Sequence, residues 1–164
     1  MSASAGPTAD VAIVGATYAG VALALALADG IPGLEVALLD SRTERGTATP
    51  DPRGFALAAG SRHLLEVLGV WSRLASEVQA VTAIDITDGS LEAVIRPVIL
   101  GYENTLAGGE PASHIVPAEP LRDALEAALR ERSIEVLSGR PVARIEPGPH
   151  AARIVLADGS ERRA

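Results

Sequence analysis

Apolar and polar positions change period several times along this chain, and the first change is the most informative. Val11-Ala12-Ile13-Val14 is an unbroken aliphatic run closed by Gly15-Ala16-Thr17-Tyr18-Ala19-Gly20. Val21 to Ala28 is rich in Ala and Leu, and a second apolar run, Glu35 to Leu39, ends at Asp40. Short continuous apolar runs between turn residues suit parallel strands buried on both faces. The segment between them is shorter than the roughly 20 apolar residues a bilayer span requires, and it suits a helix laid on a sheet. The pattern predicts a βαβ unit with a glycine-rich first turn and a carboxylate at the end of its second strand.

After Asp40 the period is lost. Ser41 to Gly54, with Pro50 and Pro52, is polar and reads as a long loop, of a length that goes with function or disorder. Ala58 to Val70 returns to a helical period, with Leu64, Leu65 and Leu68 on one face and Gly69 suited to the position just past the end. Trp71 to Val78 reads as a short helical extension, with Trp71 as a packing residue. Val81 to Thr87 alternates as a strand does, and Ala93 to Leu100 is a second candidate that Pro97 confines to an edge or a bulge. Gly101 to Ala112 is turn-rich, and His114-Ile115-Val116 is short and extended. Together, residues 81–116 predict a small antiparallel β insertion.

Pro120 opens the most amphipathic helix, with Leu121, Leu125 and Leu129 as its apolar stripe. Ile134 to Leu137 reads as a third parallel strand. Val142 to Ile145 and Ala152 to Leu156 form a hairpin-like pair, and after the Asp158-Gly159 turn another strand is expected to begin. Residues 1–9 are small and polar and read as disordered, so the domain runs over 10–164. The fold class is therefore α/β, a Rossmann-like βαβ domain carrying a small antiparallel insertion.

Composition narrows the partners. With 164 residues, 48% of them hydrophobic, the chain is expected to be one domain with a real core. A net charge of −7 argues against nucleic acid or an anionic membrane as an electrostatic partner. All 14 basic residues are Arg. Cys is absent, which excludes disulfides and thiolate metal sites, and His63, His114 and His150 lack ligand spacing, so no metal site is expected. The N-terminus has neither a basic start nor an apolar stretch, which makes the cytoplasm the default compartment.

The chemistry lies in the first turn. Gly15 lets the chain turn sharply out of the strand, and Gly20 lets the helix pack closely on the sheet. Free N–H groups at the helix start, backed by the helix dipole, suit a pyrophosphate. Asp40, about 20 residues past Gly20, is placed to accept hydrogen bonds from the ribose of an adenine dinucleotide. Thr17 departs from the fingerprint, standing where G-x-G-x-x-G has its middle glycine; its hydroxyl could donate to a phosphate, but its branched carbon would push the ligand away. Arg53, braced by Pro52, is a candidate ligand contact from the long loop. The turn and Asp40 alone leave NAD and FAD both open, beside a plain βαβ turn that binds nothing.

Several of these patterns occur in a fixed order: the Gly15–Gly20 turn, the strand ending at Asp40, Asp51-Pro52-Arg53-Gly54-Phe55-Ala56-Leu57, and the helix ending Leu68-Gly69-Val70-Trp71. As a set they resemble the N-terminal portion of the ubiquinone-biosynthesis hydroxylases, FAD-dependent monooxygenases of the para-hydroxybenzoate-hydroxylase-like class. The resemblance runs from about Asp10 to the end of the chain. It implies that Gly15, Ala16, Thr17, Tyr18, Ala19 and Gly20 hold the FAD pyrophosphate, and that Asp40 and Ser41 hold the adenosine ribose. Arg53 would approach the flavin, and Arg122, in the Val116–Arg122 segment, would stand at a basic position beside the cofactor. Pro117 replaces a residue that is usually polar in the family.

The implied chemistry is hydroxylation of a lipophilic aromatic substrate. Flavin reduced by NAD(P)H or another donor reacts with molecular oxygen, and the protein orients the ring and excludes water. No catalytic side chain is expected beyond that. The resemblance also implies an Asp-Gly strand end and a later Gly-Asp turn that are not among these residues, so the chain is expected to be an incomplete fragment, inactive alone. Peripheral membrane association, or assembly with other quinone-pathway enzymes, is compatible with such a substrate. An NAD(P)-dependent oxidoreductase and a non-catalytic nucleotide-binding remnant are the competing readings. The first is opposed by the Arg53 loop and the β insertion, and the second is favoured by Thr17 and Pro117.

Overall fold

The structure is a computed structural model that describes residues 8–43, 51–90, 92–132 and 134–164. It divides into two compact units, residues 1–51 with 122–164, and residues 52–121.

The first unit opens with the expected βαβ. Strand β1 (Val11–Val14), helix α1 (Tyr18–Gly30) and strand β2 (Val36–Leu39) follow in order, and the two strands pair in parallel, Val11 opposite Val36 and Val14 opposite Leu39. All four residues of β2 are buried, as a strand covered on both faces should be. β1 lies at the sheet edge, β2 being its partner among the described residues, and Val14 at its end is half exposed. α1 buries Val21, Ala24 and Leu25. Helix α3 (Ala118–Glu131) begins two residues before Pro120 and buries Leu121, Leu125 and Leu129 as its spacing predicts. Just past α3, Arg132 holds Asp29 of α1 through two hydrogen bonds of 2.7 Å, tying the two helices' C-terminal ends together.

Strand β8 (Glu135–Leu137) adds to β2 in parallel, giving the sheet order β1-β2-β8. A separate antiparallel sheet follows from β9 (Val142–Glu146), β10 (Arg153–Leu156) and β11 (Glu161–Arg163), with β10 in the middle. Ile154 and Leu156 pack with Leu39 into one buried cluster that Ala12, Leu137 and Val142 border. The strand expected after Asp158-Gly159 is thus present, as β11.

The second unit departs further from the sequence pattern. Gly54–Ala58 forms a strand, β3, in what reads as the end of a loop. It pairs antiparallel with β7 (Ser113–Pro117), which also pairs with β4 (Gln79–Val81). Helix α2 (Ala59–Val67) follows β3 directly, and Gly69, at φ +69°, stands just past its end. Leu65 and Leu68 are buried, but Leu64 is 43% exposed and lies off their face. Only Trp71–Arg73 of the expected helical extension makes a helical turn, of the 3₁₀ kind. The Trp71 ring meets His114 edge-on at 5.3 Å, a packing role.

The strand read over Val81 to Thr87 is broken at Thr82, which separates β4 from β5 (Ala83–Thr87). The candidate over Ala93 to Leu100 shifts to β6 (Val98–Glu103), because Pro97 falls before the strand and Gly101 and Tyr102 continue the ladder. No helix among the described residues is long and apolar enough to cross a membrane. Most of the long loop, residues 44–50, lies outside the described residues.

Candidate functional site

The site is built where β1 gives way to α1. Gly15 leaves the strand at φ +103°, a conformation that L side chains rarely adopt, while its N–H donates to the Leu39 carbonyl at 2.8 Å. The turn is thereby fixed beside the end of β2. At Gly20 the helix comes so close to the turn that a β-carbon would lie 1.9 Å from the Gly15 carbonyl oxygen. Backbone cannot yield there, so glycine at both ends of the turn is required by this geometry.

Between them Ala16 is buried, while Thr17 and Ala19 are exposed. Thr17 is the residue that caps α1, in extended conformation, yet its side chain makes no capping hydrogen bond. No acidic residue lies in the first turn of the helix. The start of α1 is therefore neither capped by its own side chain nor neutralised by a carboxylate, as an anion-accepting helix start should be.

Asp40 is the buried charged residue of the described structure, 5% exposed. Its carboxylate is held by Arg42: the Arg42 backbone N–H donates to Oδ1 at 3.0 Å, Nε to Oδ1 at 3.2 Å and Nη2 to Oδ2 at 2.7 Å. Nη2 also donates to the Ala16 carbonyl at 3.2 Å, so the guanidinium reaches across to the glycine turn. The Asp40 hydrogen bond raises the Arg42 pKa further above its ordinary value, with Glu126 and Tyr18 acting the same way. The segment is pinned from below: Gly139 N–H donates to the Arg42 carbonyl at 2.7 Å, and Arg140 N–H to that of Asp40 at 2.8 Å.

The structure thus brings together the Gly15–Gly20 turn, Asp40 and its exposed neighbour Ser41. Arg53 belongs to the other unit, where its guanidinium lies over the Phe55 ring at 5.7 Å. Arg122, on α3, donates to the carboxylate of Asp123 next to it at 3.3 Å. Sequence reasoning missed Arg42. Its only signal was a cation two residues after the strand-end acid.

Residues 8–162 match the family model described as an FAD binding domain. The chain belongs to that family. Over 127 residues this FAD-binding domain is 33% identical to the ubiquinone hydroxylase UbiL of Rhodospirillum rubrum, an alignment that covers 76% of this chain and 28% of that protein. The chain therefore spans less than a third of that relative's length. Among solved structures it is similar to PqsL of P. aeruginosa in complex with 2-aminobenzoylacetate, with a TM-score of 0.71 and 18% identity over 96% of this chain and 41% of that one. It is also similar to 2-methyl-3-hydroxypyridine-5-carboxylic acid oxygenase, at a TM-score of 0.67 and 20% identity, covering 94% and 37% of the two chains. At these identities the likeness is one of fold, and the α/β class read from the sequence is borne out.

The residues of the FAD-binding domain fit the adenosine-diphosphate half of FAD. The close approach at Gly20 shapes the cradle that a β-carbon would fill, the α1 start carries N–H groups without a side-chain cap, and a buried carboxylate stands at the end of β2. Thr17, at the start of α1, is exposed.

Proposed function

We propose that this chain is the cofactor-holding portion of an FAD-dependent monooxygenase that hydroxylates an aromatic ring, with a polyprenyl phenol of ubiquinone biosynthesis as its substrate. The observation that carries the reading is the 33% identity to a ubiquinone hydroxylase over 127 residues, within a chain whose residues 8–162 match the FAD binding domain family. NAD(P)H is the proposed reductant, and molecular oxygen the co-substrate. Peripheral attachment to a membrane, or to other enzymes of quinone synthesis, would bring such a lipophilic substrate within reach.

When bound, FAD would supply the oxygen-activating redox chemistry. This chain's residues would hold it in place. The N–H groups of the Gly15–Gly20 turn and the start of α1 would receive the pyrophosphate, where the helix dipole favours negative charge. Asp40, with Ser41 beside it, would take the ribose hydroxyls. Arg53, within the residues 52–121 unit, and Arg122, on α3, are proposed cofactor contacts.

The test is to reconstitute the full-length protein that carries this domain with FAD and supply NADH, ¹⁸O₂ and a polyprenyl phenol. One ¹⁸O atom in a new ring hydroxyl is expected. A protein that stays colourless with FAD yet binds NADH tightly would overturn the reading in favour of a nicotinamide enzyme. Flavin binding with no labelled product from any phenol tried would remove the monooxygenase assignment.

A further inference from the structure

We infer that Arg42 is a displaceable latch on the adenosine end of the site, one that occupies the Asp40 carboxylate until a ribose replaces it. The inference rests on the proposed FAD site at the Gly15–Gly20 turn and Asp40. Its physical basis is that a carboxylate only 5% exposed must have partners in every state the protein occupies. In the ligand-free chain Arg42 meets that need. Its backbone N–H and Nε fill Oδ1, Nη2 takes Oδ2, and the planar fork suits a carboxylate edge. Two sugar hydroxyls at the same edge would compete for the same lone pairs, of which a carboxylate has about four.

The guanidinium also stands in the way. Nη2 bridges Asp40 and the Ala16 carbonyl, which places it across the opening between the β2 end and the glycine turn. A ribose that reached the Asp40 carboxylate from that turn would meet the guanidinium first.

Movement of the latch needs no refolding. The backbone of residues 40–42 is pinned by Gly139 and Arg140, and Thr43 lies against Gly139, where a β-carbon would be 2.9 Å from Thr43 Cγ2. The Arg42 side chain, by contrast, is 53% exposed and can swing toward solvent on a fixed base. The buried acid thus exchanges one set of donors for another and is never stripped.

The experiment is equilibrium titration of FAD, and separately of ADP, into wild type, Arg42→Gln and Arg42→Lys, with thermal unfolding of each ligand-free protein. For Arg42→Gln both ligands are expected to bind about two- to fivefold tighter, the size of a partly exposed ion pair that no longer has to be broken. The ligand-free melting temperature is expected to fall, since Asp40 has lost the two guanidinium hydrogen bonds. Arg42→Lys, a point charge that cannot span both oxygens, should lie between the two. If the Gln variant does not fold, the Lys variant decides by the same direction.

Weaker binding in both variants would overturn the latch, because Arg42 would then be holding the ligand. Unchanged affinity would also overturn it, since the pair would then persist in the complex. A wild type that binds neither FAD nor ADP would remove the latch together with the site, whereas a wild type that binds both, with no tightening in the variants, would remove the latch alone.

Discussion

At the residue scale, Gly20 and Asp40 carry the most weight, and for different reasons. Gly20→Ala forces a β-carbon to 1.9 Å from backbone oxygen, so the helix start must move off the turn. The expected loss is about 3 kcal/mol of stability, the upper end for overpacking, together with FAD binding; denaturant unfolding and flavin titration check the two separately. Asp40→Ala is expected to weaken FAD by about 1.5 kcal/mol, the low end for a hydrogen bond to a charged group, because the wild type must first give up the Arg42 pair. Thr17 caps α1 without a side-chain hydrogen bond, so Thr17→Gly should leave stability within a few tenths of a kcal/mol and FAD binding unchanged or tighter. Weaker binding in that variant would mean that the hydroxyl donates to the phosphate. The glycines and Asp40 were legible in the sequence because turn chemistry is local. Arg42 was not, because what sets its guanidinium over Ala16 is backbone bonding to Gly139 and Arg140, nearly a hundred residues away along the chain.

At the scale of elements, α3 and the βαβ unit follow their hydrophobic periods, whereas the antiparallel strands do not. β3 was hidden because its register is set by a distant partner, Gly54 against Pro117 and Ala58 against Ser113, and its own alternation is weak beside two prolines. β6 was displaced because Pro97 ends the irregular stretch before the strand, not inside it. In α3, Leu125 is 2% exposed, so Leu125→Ala should cost about 2–5 kcal/mol, measured by chemical unfolding. The Asp29–Arg132 pair between the helix ends gives a pH test. The Arg132 hydrogen bond lowers the Asp29 pKa below its ordinary 3.8, so the folded state binds this proton less readily than the unfolded one. The stabilisation is thus fully present above about pH 4 and lost as pH falls through the lowered value. Arg132→Ala should remove that part of the acid-side slope while costing less than about 1 kcal/mol at pH 7, as befits a partly exposed pair.

At the scale of the whole molecule, the two units differ in how they hide apolar surface. The first buries its middle strand, β2, throughout, with Leu39 packed against Ile154 and Leu156 of the second sheet. In the second, β5 and β6 pair so that Ile84 faces Tyr102 and Ile86 faces Leu100. Ile86, Val98, Leu100 and Tyr102 share that face and are each more than 40% exposed. An open aliphatic face beside strand edges that are unpaired among the described residues favours self-association. Leu100→Glu is therefore expected to reduce concentration-dependent light scattering while leaving the melting temperature within a few degrees of wild type. A large fall in melting temperature would show that the face is packed in solution.

The proposed site sets the adenosine end of FAD against the Gly15–Gly20 turn and Asp40. The direct measurement is a titration of FAD with ADP as competitor, run on wild type and on Asp40→Ala under identical salt. The expected result is that FAD binds the wild type, that ADP displaces it competitively, and that the variant binds FAD roughly tenfold more weakly. FAD binding that ADP cannot displace, or equal affinity in the two proteins, would contradict it.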